Sequence, residues 1–218
     1  MCTTLTERGE SILLRSYKWP EGATPVTDDA KEAVQSGLLE QMSISVGARA
    51  TSAAPTYLPE VNYPEGKGGT SPKLTFWDGG LLNNNPIDQL WRARYDLVKP
   101  KDPAPPVSCV LSLGTSWSTA KSWSPFRLIN TVTTAAAFLT NTESKHVDFQ
   151  RFINRITGRP GSGENIKYFR FNAPTGKETF DMDDAKSMPR LKKITQDWVK
   201  TSEIDAKIRK CAESLIVA

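Results

Sequence analysis

The stretch Phe76-Trp77-Asp78-Gly79-Gly80-Leu81-Leu82-Asn83-Asn84-Asn85-Pro86 constrains this chain more than any other. Leu74-Thr75-Phe76-Trp77 reads as a short strand that carries one carboxylate to its carboxyl end. Two glycines follow at once, letting the backbone take φ > 0 and lie close to another group. Three asparagines and a proline then open a helix, with Asn85 as N-cap and Pro86 at the first position. Ligands of α/β sheets bind outside the carboxyl ends of the strands, a good place for Asp78 to do chemistry. A tight turn with an Asx cap would use the same residues, so spacing alone leaves both readings open.

Around this run the chain reads as alternating strands and helices. Ser11 to Tyr17 is an apolar run of strand type, so near Met1 that no earlier element can pair with it locally. Ala30 to Leu39 predicts a helix, and Ser43 to Ala53 a second one that Pro55 stops. The second helix is dominated by small side chains, which suit close packing against a sheet. Arg49 among its alanines needs a carboxylate, a carbonyl or water. Asn62 to Lys73, with three glycines and two prolines, reads as a mobile loop. After Pro86, the residues Ile87, Leu90, Trp91 and Val98 share a face, with Asp88 early and Arg92, Arg94 and Lys99 late, as the helix dipole favours. Val107 to Leu113 is the most continuous strand candidate. With the strand ending at Asp78 it predicts a βαβ unit with parallel pairing. Phe126 to Ile156 reads as mostly helical, interrupted near Asn141. Ile166 to Phe171 reads as an alternating strand, and Asp183 to Val217 as two helices. Leu191, Ile194 and Trp198 line one of those helices, and Ile204, Ile208, Cys211 and Leu215 the other.

Several function classes lose ground on composition. A length of 218 residues suits one domain or a large piece of one, and the net charge of +4 is spread out. Nucleic-acid binders cluster such charge, so no nucleic acid is expected as a partner. Cys2, Cys109 and Cys211 are far apart, and neither a metal spacing nor a disulfide framework can be built from them. With one histidine, His146, a zinc site has little to work with, and no metal or organic cofactor is expected. His146 lies in a charged helical stretch that suits solvent exposure better than a catalytic triad. The glycines of Gly66 to Gly69 and Gly158 to Gly163 do not fit a phosphate loop, which weighs against a nucleotide-binding domain. The basic C-terminal helices and the loop with Trp117 and Trp123 offer contacts to an anionic lipid surface, although a solvated face and a packed loop use the same residues. No apolar leader or membrane-length stretch is read, and the expected location is cytoplasmic, peripheral at membranes.

Four stretches, in this order and spacing, resemble the patatin-like phospholipase family. They are Arg15-Ser16-Tyr17, the helix end from Ala48 to Tyr57, Asp78-Gly79-Gly80 with Asn84-Asn85-Pro86, and Leu111-Ser112-Leu113-Gly114-Thr115. The match covers roughly Met1 to Thr115. Tyr168 to Asn172 and Asp181 to Asp184 resemble the later part of many members. The resemblance implies a three-layer α/β/α fold with a mainly parallel sheet. It also implies lipid acyl-ester hydrolysis by a serine–aspartate dyad in which Asp78 is the proton acceptor. A carboxylate has an ordinary pKa of about 3.9, so it must be positioned and partly desolvated to act as a base.

The departure from the family matters as much. Members carry a glycine-rich oxyanion loop and a Gly-x-Ser-x-Gly nucleophile elbow before this region, and the sequence contains neither. Residues 1–115 are therefore expected to form the carboxyl-terminal part of a catalytic domain, and residues 116–218 a mainly helical region packed on it. No nucleophile is assigned. The expected partner is a lipid or phospholipid acyl ester, with Arg49 near Asp78, and the chain needs the missing part of the domain for activity. The alternative is a degenerate, non-catalytic module that binds lipid or protein. Strands without their neighbours would expose apolar edges, so the chain alone is expected to be poorly soluble or oligomeric.

Overall fold

The computed structural model describes residues 1–6, 9–17, 39–55, 57–64, 74–99, 102–103, 105–118, 142–158, 165–180 and 184–216. The chain divides into two compact units, Met1–Pro105 with Ala135–Thr142, and Pro106–Thr134 with Glu143–Ala218. Most of the helix expected over Ala30 to Leu39, the residues from Phe126 to Asn141, and Trp123 lie outside the described residues.

The first unit is built on a four-stranded sheet ordered β2-β1-β4-β3. Its strands are β1 (Cys2–Leu5), β2 (Glu10–Leu13), β3 (Val61–Tyr63) and β4 (Leu74–Asp78). All three pairings are antiparallel, with Thr3 opposite Ile12 on one side and Asp78 on the other, and Val61 opposite Phe76. Gly9, at φ +65°, closes the β1–β2 hairpin and donates its N–H to the Leu5 carbonyl at 2.9 Å. The ladder runs on past the strand ends: the Met1 ammonium donates to the Leu14 carbonyl at 2.8 Å, and the Leu14 N–H returns to Met1 at 2.7 Å.

Three expectations are corrected by this sheet. The run from Ser11 does have an earlier partner, because Cys2–Leu5 is itself a strand, and its pairing does not extend to Tyr17. The loop expected from Asn62 begins later, since β3 takes Asn62 and Tyr63. The strand ending at Asp78 does not pair in parallel with the later apolar strand, because β1 and β3 fill both of its edges. Three threonine hydroxyls fasten β1 to β4: Thr3 donates to the Trp77 carbonyl at 2.8 Å, Thr4 to that of Asp78 at 2.9 Å, and Thr6 to that of Thr75 at 3.2 Å.

Helix α1 (Ile44–Thr51) packs on β1 and β4 with Gly47 and Ala50 buried, which is the use its small side chains suggest. Ser43 caps it, accepting the Val46 N–H at 3.3 Å. Beneath lies a core of Leu5, Ile12, Ala50, Ala53, Val61 and Phe76. Burial of Phe76 alone contributes about 1.5–3 kcal/mol. After β4 come α2 (Gly80–Asn83), α3 (Ile87–Ala93) and a 3₁₀ turn, Arg94–Leu97. Asn85 is not the N-cap. Asn84 closes α2 with helical φ, Pro86 precedes α3 without a side-chain bond, and the Asn85 amide donates instead to the Thr142 carbonyl at 3.0 Å. On α3, Ile87 is buried as expected, whereas Leu90 is 62% exposed.

In the second unit β5 (Cys109–Leu113) and β6 (Lys167–Phe171) pair in parallel, Ser112 opposite Arg170. Three helices accompany them: α4 (Thr142–Thr157), α5 (Met188–Val199) and α6 (Ser202–Ile216). Phe149 of α4 meets Tyr168 edge-on, while α6 packs on both strands through a face holding Ile204, Cys211 and Ser214. Ile208 and Leu215, expected on that face, are 36% and 53% exposed. Among the described residues β6 is the one strand beside β5, and Leu113 on β5 is 70% exposed. An open parallel edge of this kind invites pairing with other chains. Size-exclusion chromatography should therefore find the 24.1 kDa chain eluting ahead of a monomer, and a monomer that melts cooperatively would refute this.

Candidate active site

Asp78 closes β4, and the end of α1 fixes where it stops. The Asp78 N–H donates to the Ala53 carbonyl at 3.0 Å and the Gly79 N–H to that of Thr51 at 3.3 Å. The half-buried carboxylate accepts the Gly80 N–H on Oδ1 at 2.6 Å. Among the described residues no lysine or arginine forms a salt bridge with it. Among the described residues the carboxylate has one backbone donor and no counter-cation, which keeps lone pairs for an incoming proton.

Of the two uses the sequence suggests for these glycines, Gly79 shows the close approach and not the positive φ. Gly79 has φ −63°, so left-handed freedom is not what it supplies. Crowding is the reason: a Cβ on Gly79 would lie 2.1 Å from the Cys2 carbonyl oxygen. Gly80 opens α2 and supplies the N–H that aims the carboxylate.

Asp78 faces a groove of about 590 Å³. Its polar lining includes Thr51, Asn83 and Arg15, and its apolar walls include Leu14, Pro86 and Leu90. Three of the four stretches singled out in the sequence thus meet at one place: Arg15 to Tyr17, the end of α1, and Asp78 to Pro86. The wall carrying Arg15 and Tyr17 is held from behind by Asp96, which is 4% exposed. Its Oδ2 accepts from Arg15 Nε at 2.5 Å and from the Tyr17 hydroxyl at 3.0 Å. Burial, and then the bond to Asp96, push the Tyr17 phenol above its ordinary pKa. Cys2 also lines the groove, and burial pushes its thiol up, which disfavours the thiolate that a nucleophile needs.

Arg49 is not beside Asp78. Its Nη2 donates to the Pro59 carbonyl at 2.6 Å, satisfying one of the partners the sequence reading offers it. The fourth stretch, Leu111 to Thr115, belongs to the second unit and builds a buried polar cluster there. Arg170 donates to Ser112 Oγ and to Glu143 Oε1, both at 3.0 Å, and Asn172 donates to the same Glu143 oxygen at 2.7 Å. Gly114 is required beside it, because a Cβ there would sit 2.2 Å from Asn172 Oδ1. The sequence reading missed Arg170 and Glu143, since nothing local marks an arginine in a strand as buried.

His146 is half-buried rather than solvent-exposed: Nδ1 lies 3.0 Å from the Tyr168 hydroxyl and the two rings are 5.4 Å apart. Burial lowers its pKa from the ordinary 6.5, the positive charges of Arg170 and Lys207 lower it further, and Glu143 opposes them. The unfolded chain then binds the proton more readily, so stability is lost as pH falls through about 6.5 toward the lower folded value. The melting temperature should drop between pH 7.5 and 5.5, and the drop should shrink in His146→Gln.

Cys109 and Cys211, 102 positions apart in sequence, meet across β5 and α6, both as free thiols. Among the described residues no three His, Cys, Asp or Glu side chains gather as a metal site requires, and no helix is long and apolar enough to cross a membrane.

No curated protein matches the chain. The matched stretch holds α1, Asp78 and the groove residues Pro86 and Leu90, whereas Arg15 to Tyr17 and Leu111 to Thr115 fall outside it. The family whose model matches the chain is patatin-like phospholipase, over residues 18–91.

Proposed function

We propose that this chain carries the aspartate half of a lipid acyl hydrolase, with Asp78 accepting the proton of a serine that the sequence does not contain in a Gly-x-Ser-x-Gly setting. The observation that carries the reading is the Asp78 carboxylate at the end of its strand, aimed by the Gly80 N–H and facing a groove with apolar walls. The family match over the same residues points to phospholipid as the kind of molecule acted on. Serine attack on the acyl carbon forms an acyl-enzyme and releases the alcohol. Asp78 takes the serine proton and passes it to the departing alcohol; water then attacks the acyl-enzyme, Asp78 takes its proton, and that proton returns to the serine as the acid leaves. On this reading residues 1–115 supply the carboxyl-terminal part of the catalytic domain, residues 116–218 a mainly helical region, and the protein works in the cytoplasm, peripheral at membranes.

The test compares two proteins on a soluble short-chain acyl ester. The chain alone should give no turnover, and a protein extended ahead of Met1 by the in-frame upstream sequence with a Gly-x-Ser-x-Gly elbow should hydrolyse it. Turnover by the chain alone would reveal a nucleophile within it and defeat the dyad reading. An extended protein with the elbow and no turnover would favour the degenerate, non-catalytic module.

A further inference from the structure

The parallel pair β5 and β6 carries a helix on each face, and the pleat decides which side chains meet which helix. Val110 and Ser112 are buried on one face, where Arg170 bonds Ser112 and Tyr168 meets His146 and Phe149 of α4. Cys109, Leu111 and Leu113 alternate with them and so take the other face, with Phe169 and Phe171 beside them in register. Helix α6 lies over that face: the Lys207 ammonium stands 5.4 Å from the centre of the Phe171 ring and donates to the Arg170 carbonyl at 2.9 Å. Cys211 follows one turn later, on the buried side of α6 at 5% exposure.

Strand and helix thus bring two thiols together, and their side chains share a hydrogen bond. The two differ in access. Cys109 is half-buried and Cys211 buried, so a reagent reaches the pair through Cys109. The remaining cysteine, Cys2, lies on β1 of the first unit. Distant cysteines usually fail to bond because the backbone would have to move to join them. Here the packing of α6 on β5 has already made that approach.

We propose that Cys109 and Cys211 form a reversible disulfide that locks α6 onto β5, with Cys109 reacting first and Cys211 resolving it. The co-reactant is a small soluble disulfide. The Cys109 thiolate attacks one of its sulfurs, breaks the S–S bond and expels one thiolate, leaving a mixed disulfide. Cys211 then gives up its proton, attacks the Cys109 sulfur and expels the second thiolate. The protein loses two electrons and two protons, which leave on the two thiols of the reduced co-reactant. Burial first, and then the nearby Cys211, hold the Cys109 thiol above its ordinary range against the pull of Lys167, so the first attack is slow. Such a lock answers sustained oxidation rather than a brief pulse. It does not depend on the groove or on the acyl-hydrolase reading.

Incubation of the full chain with oxidised glutathione, followed by trypsin digestion without reduction and mass spectrometry, tests it. Residues 102–121 should be recovered joined to residues 211–218. The same oxidation in guanidinium chloride removes the packing. Relative to that control, the folded chain should favour the Cys109–Cys211 pairing over either pairing with Cys2 by at least about tenfold. The bond closes a long loop, so the oxidised protein should melt at least about 5 °C above the reduced one, and dithiothreitol should reverse the gain. Cys211→Ser should stop at the mixed disulfide on Cys109, and Cys109→Ser should keep Cys211 reduced.

Wild-type chain that keeps both thiols free, or ends with glutathione on Cys109 and Cys211 still reduced, overturns the proposal. So does a Cys109–Cys211 link found only between chains, as a dimer on a non-reducing gel, or one formed no more selectively than in denaturant. A bond that forms without raising the melting temperature overturns it too, because the native packing would then not be what presents the pair. Should either serine variant fail to fold, the wild-type chain measured oxidised and then reduced still decides the matter.

Discussion

Asp78→Asn should lower acyl-ester turnover by about 10²–10⁴ in a protein that has the serine elbow joined ahead of Met1. Asparagine has nearly the same shape, and its side-chain carbonyl can still accept the Gly80 N–H that now reaches Oδ1 at 2.6 Å. The backbone bonds that seat position 78, to Ala53 and from Thr4, do not involve its side chain and persist. What is lost is the ability to take a proton. The loss should therefore fall on kcat, with KM and the melting temperature little changed. Turnover retained within a few-fold would remove Asp78 as the base and turn attention to another acceptor on the groove wall.

Gly79→Ala should have the largest effect on stability of any single methyl added to the first unit. The new Cβ would stand 2.1 Å from a backbone oxygen, that of Cys2, so no side-chain rotation relieves the clash. Overpacking a core commonly costs about 1–3 kcal/mol, and a clash with main chain belongs at or above the top of that range. Relief requires β1 to move off β4, which breaks the Thr3 and Thr4 hydroxyl bonds as well. A unit of this size should lose more than about 10 °C in melting temperature. Gly9→Ala makes the control: its φ of +65° strains an alanine, but nothing lies within 4 Å of the added atom, so the loss should be nearer 1 kcal/mol. If Gly79→Ala melted no lower than Gly9→Ala, close approach would not be what position 79 needs.

What the sequence made legible was local. The strand into Asp78, the small-residue helix that Pro55 stops and the paired C-terminal helices all announce themselves within a dozen residues through period and breakers. The partners of these elements did not, because they come from far along the chain. Cys2-Thr3-Thr4-Leu5 is too short to show alternation, and its pairing with β4 joins Thr3 to Asp78 across some 75 positions. The meeting of Cys109 with Cys211 and the seating of Arg170 against Glu143 are likewise tertiary. At the site, the carboxylate was readable and its surroundings were not: the groove is assembled from Arg15, Thr51 and Leu90, which only folding brings together. Arg49 shows the converse, since a lone cation near the motif in sequence found a carbonyl ten residues on rather than the carboxylate.

The hydrogen-bonded pair between Met1 and Leu14 sets the point of departure for anything fused to the amino end. An amide there still offers one N–H to the Leu14 carbonyl, so an added peptide would extend the antiparallel ladder without disturbing it. Met1 and Cys2 also line the groove, so that peptide would emerge at its lip with only a short tether between itself and Asp78. Short tethers hold a group at effective concentrations in the millimolar range. A purification tag placed at this end would act as a built-in competitor for the groove.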